Sequence, residues 1–386
     1  MNNSLSTPYF VIDKAELDGA VAKFKAALDK YWPNWIAGYS YKTNSTPWII
    51  EYFRDNGFYA EVVSDDEYDL ACAIGCSRKI YNGIIKSKET FLESVKNGDI
   101  VNIDSDREIE WLDELVDKTS VKVGIRVNFD IEKMCPGQSQ EPEEGGRFGF
   151  CYENGELIRA IDKIRSKGVT LAGIHLHQSS KTRSLDIYRA ICEVAVKVAS
   201  EYDLDLEYVD VGGGFFGGLP GKPQYDDYMA LMSSILSERF SPDKTALIVE
   251  PGMALIGSPI SFVTSVTDVK KTSYSTFVVT DGSRCNIDPL MKKTGYFYDT
   301  KYADDDREIM DKQIISGYTC MEHDRLFIME NAKELKEGDR IIYHKVGAYT
   351  MCLSPLFIKY HPDIYVDDGG NMTLVRPRWD ADRIVR

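Results

Sequence analysis

The chain has 386 residues, 43% of them hydrophobic, and a formal net charge of −15 with no Lys/Arg-rich block. That length allows two domains, or one barrel with an appendage, each with a large core. The acidic balance argues against nucleic acid or an anionic membrane as partner, and eight scattered cysteines with no CxxC pair fit reduced thiols in the cytoplasm rather than a disulfide framework.

In chain order, residues 1–8 (MNNSLSTP) lack a basic start and an apolar core, so no signal peptide is expected there. No apolar run approaches the ~20 residues of a membrane span. Residues 9–13 (YFVID) read as a strand, and residues 1–30 are set apart as an N-terminal segment able to pair with a later β domain. Short apolar runs then recur at 36–42, 58–63, 79–82, 100–103, 121–127, 171–177, 206–211 and 246–250. Between them lie 45–56, 66–74, 88–97, 106–117, 155–167, 184–202 and 225–240, several with apolar residues at helical spacing, with Asp106 and Ser184 where N-caps should stand. Eight strand–helix alternations predict an α/β fold with a TIM-like (β/α)8 barrel over 31–255, whose chemistry would sit at the C-terminal strand ends. Lys42, His177, Asp210 to Gly214 and Glu250 all fall there. After about residue 255 helical periodicity fades, and 260–269, 275–280, 313–319, 340–344 and 371–375 read as strands of a separate β domain over 256–386.

Five constellations carry candidate chemistry. Lys42 ends the first barrel strand in GYSYKTN (38–44); a desolvated ammonium there would become an amine nucleophile of the Schiff-base type, although strand-end lysines are commonly surface residues. VDVGGGFFGG (209–218) leaves backbone N–H groups bare at a strand end, able to cradle a phosphate. Gly212, Gly214 and Gly217 also satisfy GxGxxG, but the GLPGKP that follows cannot start the helix a dinucleotide site needs; a structural turn is the alternative. GIHLHQSS (173–180) places His175 and His177 on one strand face. With five histidines in all and no third ligand at useful spacing, no metal is expected, leaving a satisfied core histidine or an imidazole packed on an aromatic cofactor. Glu250 in EPG (250–252) needs a partner if buried, either a protonated pyridine nitrogen or an arginine such as Arg126. In the β domain, Cys320 of GYTCMEHD (317–324) reads as a small buried hydrophobe or a proton donor, and Tyr349 of VGAYT (346–350) as packing or a phosphate ligand.

Together and in this order, the segments resemble the fold type III pyridoxal-phosphate decarboxylases, which include diaminopimelate, ornithine/lysine and arginine decarboxylases. The resemblance runs almost end to end. It implies an alanine racemase-like architecture, pyridoxal 5'-phosphate as cofactor, and a carboxy-lyase that turns an amino acid into an amine and carbon dioxide. Residue by residue it implies Lys42 as the cofactor lysine and His177 as the histidine stacked on the ring. Ser180, Gly212, Gly213 and Gly214 match phosphate contacts, Glu250 the acid at the pyridine nitrogen, and Glu61, Glu67 and Arg126 polar neighbours of the cofactor. Cys320 matches the proton donor, Asp324 the end of its motif, and Tyr349 a tyrosine near the phosphate. In the family that cysteine reaches the neighbouring subunit's site, which implies a homodimer with shared sites.

The departures concern the substrate. Met253 follows Glu-Pro-Gly where the family has arginine, and Met321 follows the motif cysteine where an acid is usual, with Glu322 displaced by one. Asp288 stands where diaminopimelate decarboxylases carry an arginine for the distal carboxylate, and Asp65-Asp66 replace a glycine pair. These changes suggest a distal cation bound near Asp288, Met321, Glu322 and Asp324, or a longer, specialised-pathway substrate, with a carrier-protein-bound one compatible. An amino-acid racemase is the nearest rival; such enzymes place arginine opposite the pyridine nitrogen, and Glu250 favours decarboxylation. A non-catalytic cofactor-binding barrel is the other rival.

Overall fold

The computed structural model describes residues 5–385; the first four residues of the N-terminal stretch considered above lie outside them. The chain divides into two compact units, one of residues 22–254 and one formed by the segment up to Val21 with everything from Leu255 onward.

The first unit is a closed barrel of eight parallel strands, Trp35–Ser40, Tyr59–Ser64, Lys79–Ile85, Ile100–Ile103, Lys122–Asn128, Thr170–His175, Tyr208–Asp210 and Ala246–Val249. Each pairs with the next, and the eighth returns to the first with Leu247 opposite Trp35. Apolar residues run almost unbroken along these strands because both faces are covered. A two-residue strand, Phe150–Cys151, adds beside Lys122–Asn128 and was not expected. The helix expected from Asp106 begins one residue after its N-cap, Ser105, and gives way to a 3-10 turn at Leu112–Glu114. Asp106 therefore opens the helix, where its charge suits the exposed N–H groups.

Two glycines explain how the barrel is filled. A Cβ on Gly124 would lie 2.1 Å from the Tyr208 hydroxyl, and one on Gly173 would lie 2.2 Å from the Tyr208 ring. The ring occupies that space, and its hydroxyl donates to Asn102 Oδ1 at 2.9 Å. Gly173→Ala is expected to lower stability by about 1–3 kcal/mol, as overpacking in a tight core does; urea unfolding would show it as a lower midpoint at unchanged slope.

The second unit is a nine-stranded, mainly antiparallel assembly. Tyr9–Asp13 pairs antiparallel with Ile260–Lys271 and parallel with Asp363–Asp368, which places it in this unit. Three strands absent from the sequence reading are Phe297–Lys301, Arg325–Lys333 and Asp363–Asp368. The first, FYDTK, has no buried position, so no apolar alternation marks it. Among the described residues, the eight cysteines form no disulfide. Among the described residues, no helix is long and apolar enough to cross a membrane.

Candidate active site

Lys42 sits where the first barrel strand turns. Trp35–Ser40 runs into a single 3-10 turn, Tyr41–Thr43, in which Tyr41 and Thr43 are buried. Lys42 itself lines a cavity of about 250 Å³ together with Glu61, Asn82, Arg126, His177 and Glu250. Its Nζ lies 2.6 Å from Glu61 Oε2, an oxygen that also accepts from Ser40 Oγ at 2.5 Å. The desolvation expected of this amine is only partial in the fold. The side chain is 36% exposed and pairs with a fully buried carboxylate at 2.6 Å; Glu61 is within reach to take its proton. Lys86, the most deeply buried lysine, is bound by Glu108 Oε2 and by the carbonyls of Gly83 and Asn102, which leaves it no capacity as a nucleophile.

Glu250 directly follows the eighth strand, buried, and Arg126 is not its partner. Arg126 Nη1 instead lies 3.5 Å from Asp104 Oδ2, and its Nη2 donates to the His177 carbonyl. Around Glu250 stand Asn82 Nδ2 at 2.5 Å and His175 Nε2 at 3.6 Å, with the Asp210 carboxyl within hydrogen-bonding reach. Burial, then the charges of Asp210 and Glu61, push Glu250 well above the usual carboxyl range. Among the described residues no lysine or arginine is paired directly with this acid, which suits a positively charged ring nitrogen.

His177 is held neutral by burial and by Arg126, its pKa pushed down to about 3. Its Nδ1 accepts from Gly213 N at 3.2 Å, which fixes the ring edge and leaves a flat neutral face. Gly212, at φ +74°, could carry no Cβ, because that atom would lie 2.4 Å from His177. Gly212 N donates to Asp210 Oδ1 at 2.9 Å, so two of the three amides expected for phosphate are used within the turn. Ser180 also differs from expectation: Ser179 lines the cavity, while Ser180 Oγ accepts from Arg183 N. Glu67, with Oε2 on Val63 N at 2.9 Å, is pushed up to about 7 chiefly by burial.

A lysine, a neutral imidazole, a glycine turn and a buried acid lacking a paired cation form a set that fits pyridoxal phosphate. Residues 16–257 match the family model described as "Pyridoxal-dependent decarboxylase, pyridoxal binding domain". The chain belongs to the pyridoxal-dependent decarboxylases. It is 27% identical to the diaminopimelate decarboxylase of Archaeoglobus fulgidus, over 90% of this chain and 84% of that one. To the Bacillus subtilis diaminopimelate decarboxylase it is 26% identical, over 98% and 91%. The crystal structure of diaminopimelate decarboxylase from M. jannaschii in complex with L-lysine is similar in fold, with a TM-score of 0.84 at 22% identity over 96% of this chain and 89% of that one. The decarboxylase family makes the protein a carboxy-lyase acting on an amino acid with pyridoxal phosphate.

The second unit holds the remaining residues of the decarboxylase motifs. Cys320 is exposed, which removes the buried-hydrophobe alternative. Its turn is tied down by Asp324, which is buried and accepts from Ser283 Oγ, Arg284 N, Thr319 N and Thr319 Oγ1. Asp324 is thus a scaffold for the cysteine turn rather than the substrate ligand expected. Removing its carboxylate strands several buried donors, so Asp324→Ala should cost about 1–3 kcal/mol and lower kcat more than it raises KM, measurable by calorimetry with steady-state assays. Asp288 is likewise engaged: its Oδ2 takes Arg284 Nη2 at 2.5 Å and Lys293 N at 3.1 Å, and its Oδ1 takes Lys292 N at 3.0 Å. A distal ammonium would have to displace these, which speaks against the expected cation-binding role. Met321 is half-buried, and Glu322 is exposed and paired with Arg325 at 3.1 Å. Tyr349 stands at φ +54°, rare for a tyrosine.

Asn82, His175 and Asp210 were not singled out as partners of Glu250. Asn82 and Asp210 do lie at predicted strand ends, the position from which a barrel builds its site; that rule is the signal that could have found them.

Proposed function

We propose that the protein decarboxylates diaminopimelate, releasing carbon dioxide and lysine. The observation that carries the family chemistry is Glu250, a buried acid whose direct partners are Asn82, His175 and Asp210. Pyridoxal phosphate supplies, when bound, an electron sink into which the Cα–carboxylate bond can break. Lys42 would hold it, with Glu61 exchanging the amine's proton. His177 offers the flat neutral face, Glu250 the negative charge that keeps the ring nitrogen protonated, and Gly214 the turn amide for phosphate. Cys320 would return a proton to Cα from the neighbouring subunit of a homodimer.

The substrate choice is supported by the named relatives. The Asp288 carboxylate is already taken by Arg284 at 2.5 Å, which leaves the specialised cationic substrate expected from the sequence without the acid it would need. Carbon dioxide release should be measured over meso-diaminopimelate, L-lysine, L-ornithine and L-arginine. Diaminopimelate is expected to give gas and lysine; gas from another member would move the substrate there, and racemisation without gas would favour the racemase. For the shared site, a Lys42→Ala protein mixed with a Cys320→Ala protein should regain part of the activity that each lacks, whereas sites complete within one subunit would regain none.

A further inference from the structure

Beneath the cavity, the seventh and eighth strands bring two carboxyls together. Asp210 is 0% exposed and Glu250 is 4% exposed. Their oxygens and a His175 ring nitrogen lie within 4.8 Å of one another, and the two carboxyls are within hydrogen-bonding reach. The nearby cations are committed to other acids: Lys42 to Glu61 at 2.6 Å, Arg126 to Asp104 at 3.5 Å and Lys86 to Glu108 at 2.9 Å. The direct contacts to the pair are neutral. Asn82 Nδ2 is on Glu250, Gly212 N on Asp210 Oδ1, and Asn102 Nδ2 lies 3.5 Å from Asp210 Oδ2. His175 has no hydrogen-bond partner on either ring nitrogen, and burial holds its pKa well below the usual range, so it brings no charge. Lys42 and Arg126 act on the pair only at a distance, and among the described residues no lysine or arginine pairs directly with either carboxylate, so the two do not both ionise.

We propose that Asp210 and Glu250 share one proton, carried by Glu250 in the cofactor-free barrel and by Asp210 once a cationic ring nitrogen faces Glu250. The proposal rests on the reading that the site takes pyridoxal phosphate. The transfer is internal to the pair: the Glu250 O–H bond breaks, the Asp210 O–H bond forms, and the pair's charge stays at minus one. Burial raises both carboxyls, and Asp210 accepts the fixed backbone N–H of Gly212 at 2.9 Å, which favours the anion there, so the proton starts on Glu250. A positive nitrogen against Glu250 reverses that order. Asp210 is therefore a positioning residue: it lets Glu250 become an anion in a dry site without releasing a proton to water, and then donates a hydrogen bond to it.

The test is infrared spectroscopy of the carbonyl stretch of protonated carboxyl groups near neutral pH, on protein with and without pyridoxal phosphate. In the cofactor-free protein, subtracting an Asp210→Asn/Glu250→Gln double variant should leave one such band. Labelling aspartate carboxyls with carbon-13 should not move that band before cofactor is added and should move it afterwards. The labelling arm uses the wild-type chain, so it stands even if the double variant does not fold. A band that the aspartate label never moves, or no band from the pair in either state, overturns the proposal while leaving the family chemistry intact. Failure to bind pyridoxal phosphate at all would instead sink the functional reading, and is seen separately as missing imine absorbance.

Discussion

Lys42→Ala should take up pyridoxal phosphate without the visible imine absorbance of the wild type and lose about a thousandfold or more in kcat. The estimate follows from removing both a covalent attachment and the amine that exchanges protons with substrate, since acid–base roles alone contribute about 10²–10⁴-fold. Borohydride reduction followed by peptide mapping gives a second readout. The wild-type adduct should lie on the peptide containing Lys42; an adduct on Lys86 would overturn the assignment. Geometry separates the two lysines, because Lys42 lines the cavity while Lys86 is fully buried on three acceptors.

Glu250→Gln should lower kcat by roughly a hundred- to thousandfold, the usual range for losing one preorganised charge in a dry site. Shape is nearly kept, so the loss reports on charge. Stability should move the other way. The Glu250 carboxyl is pushed well above its ordinary value of 4.5 in the fold, so as pH rises past that value the unfolded chain ionises there while the cofactor-free fold does not. The wild type therefore loses stability across that window, up to the native pKa, and the glutamine variant does not. Melts of cofactor-free protein should show the variant gaining on the wild type as pH rises from about 4 to 7. A variant that is both inactive and less stable across the whole range would indicate a structural role for Glu250 instead.

How far the site could be read from the sequence is clear in particular residues. The eight runs were legible because strands covered on both faces must be apolar, and Lys42, His177 and Glu250 followed from their strand ends. Phe297–Lys301 was not legible, since a strand without a buried face leaves no hydrophobic period. Ser179 and Ser180 could not be told apart either, because a one-residue difference in a loop changes which hydroxyl enters the cavity without changing the composition. The expected cation site at Asp288 failed for a related reason: Arg284 lies one helical turn earlier, and only the fold shows that its guanidinium takes the carboxylate.

The sequence by itself determined the barrel, the appended β unit and the types of side chain at the barrel mouth, because strand length, apolar period and strand-end position are local properties. Tertiary structure alone decided the charge relations: Lys42 on Glu61, Arg126 on Asp104, and Asp210 against Glu250. Each joins residues on, or just beyond, different strands of the barrel, and their ionisation depends on burial and on distances of a few ångströms, neither of which is written in the order of residues along the chain.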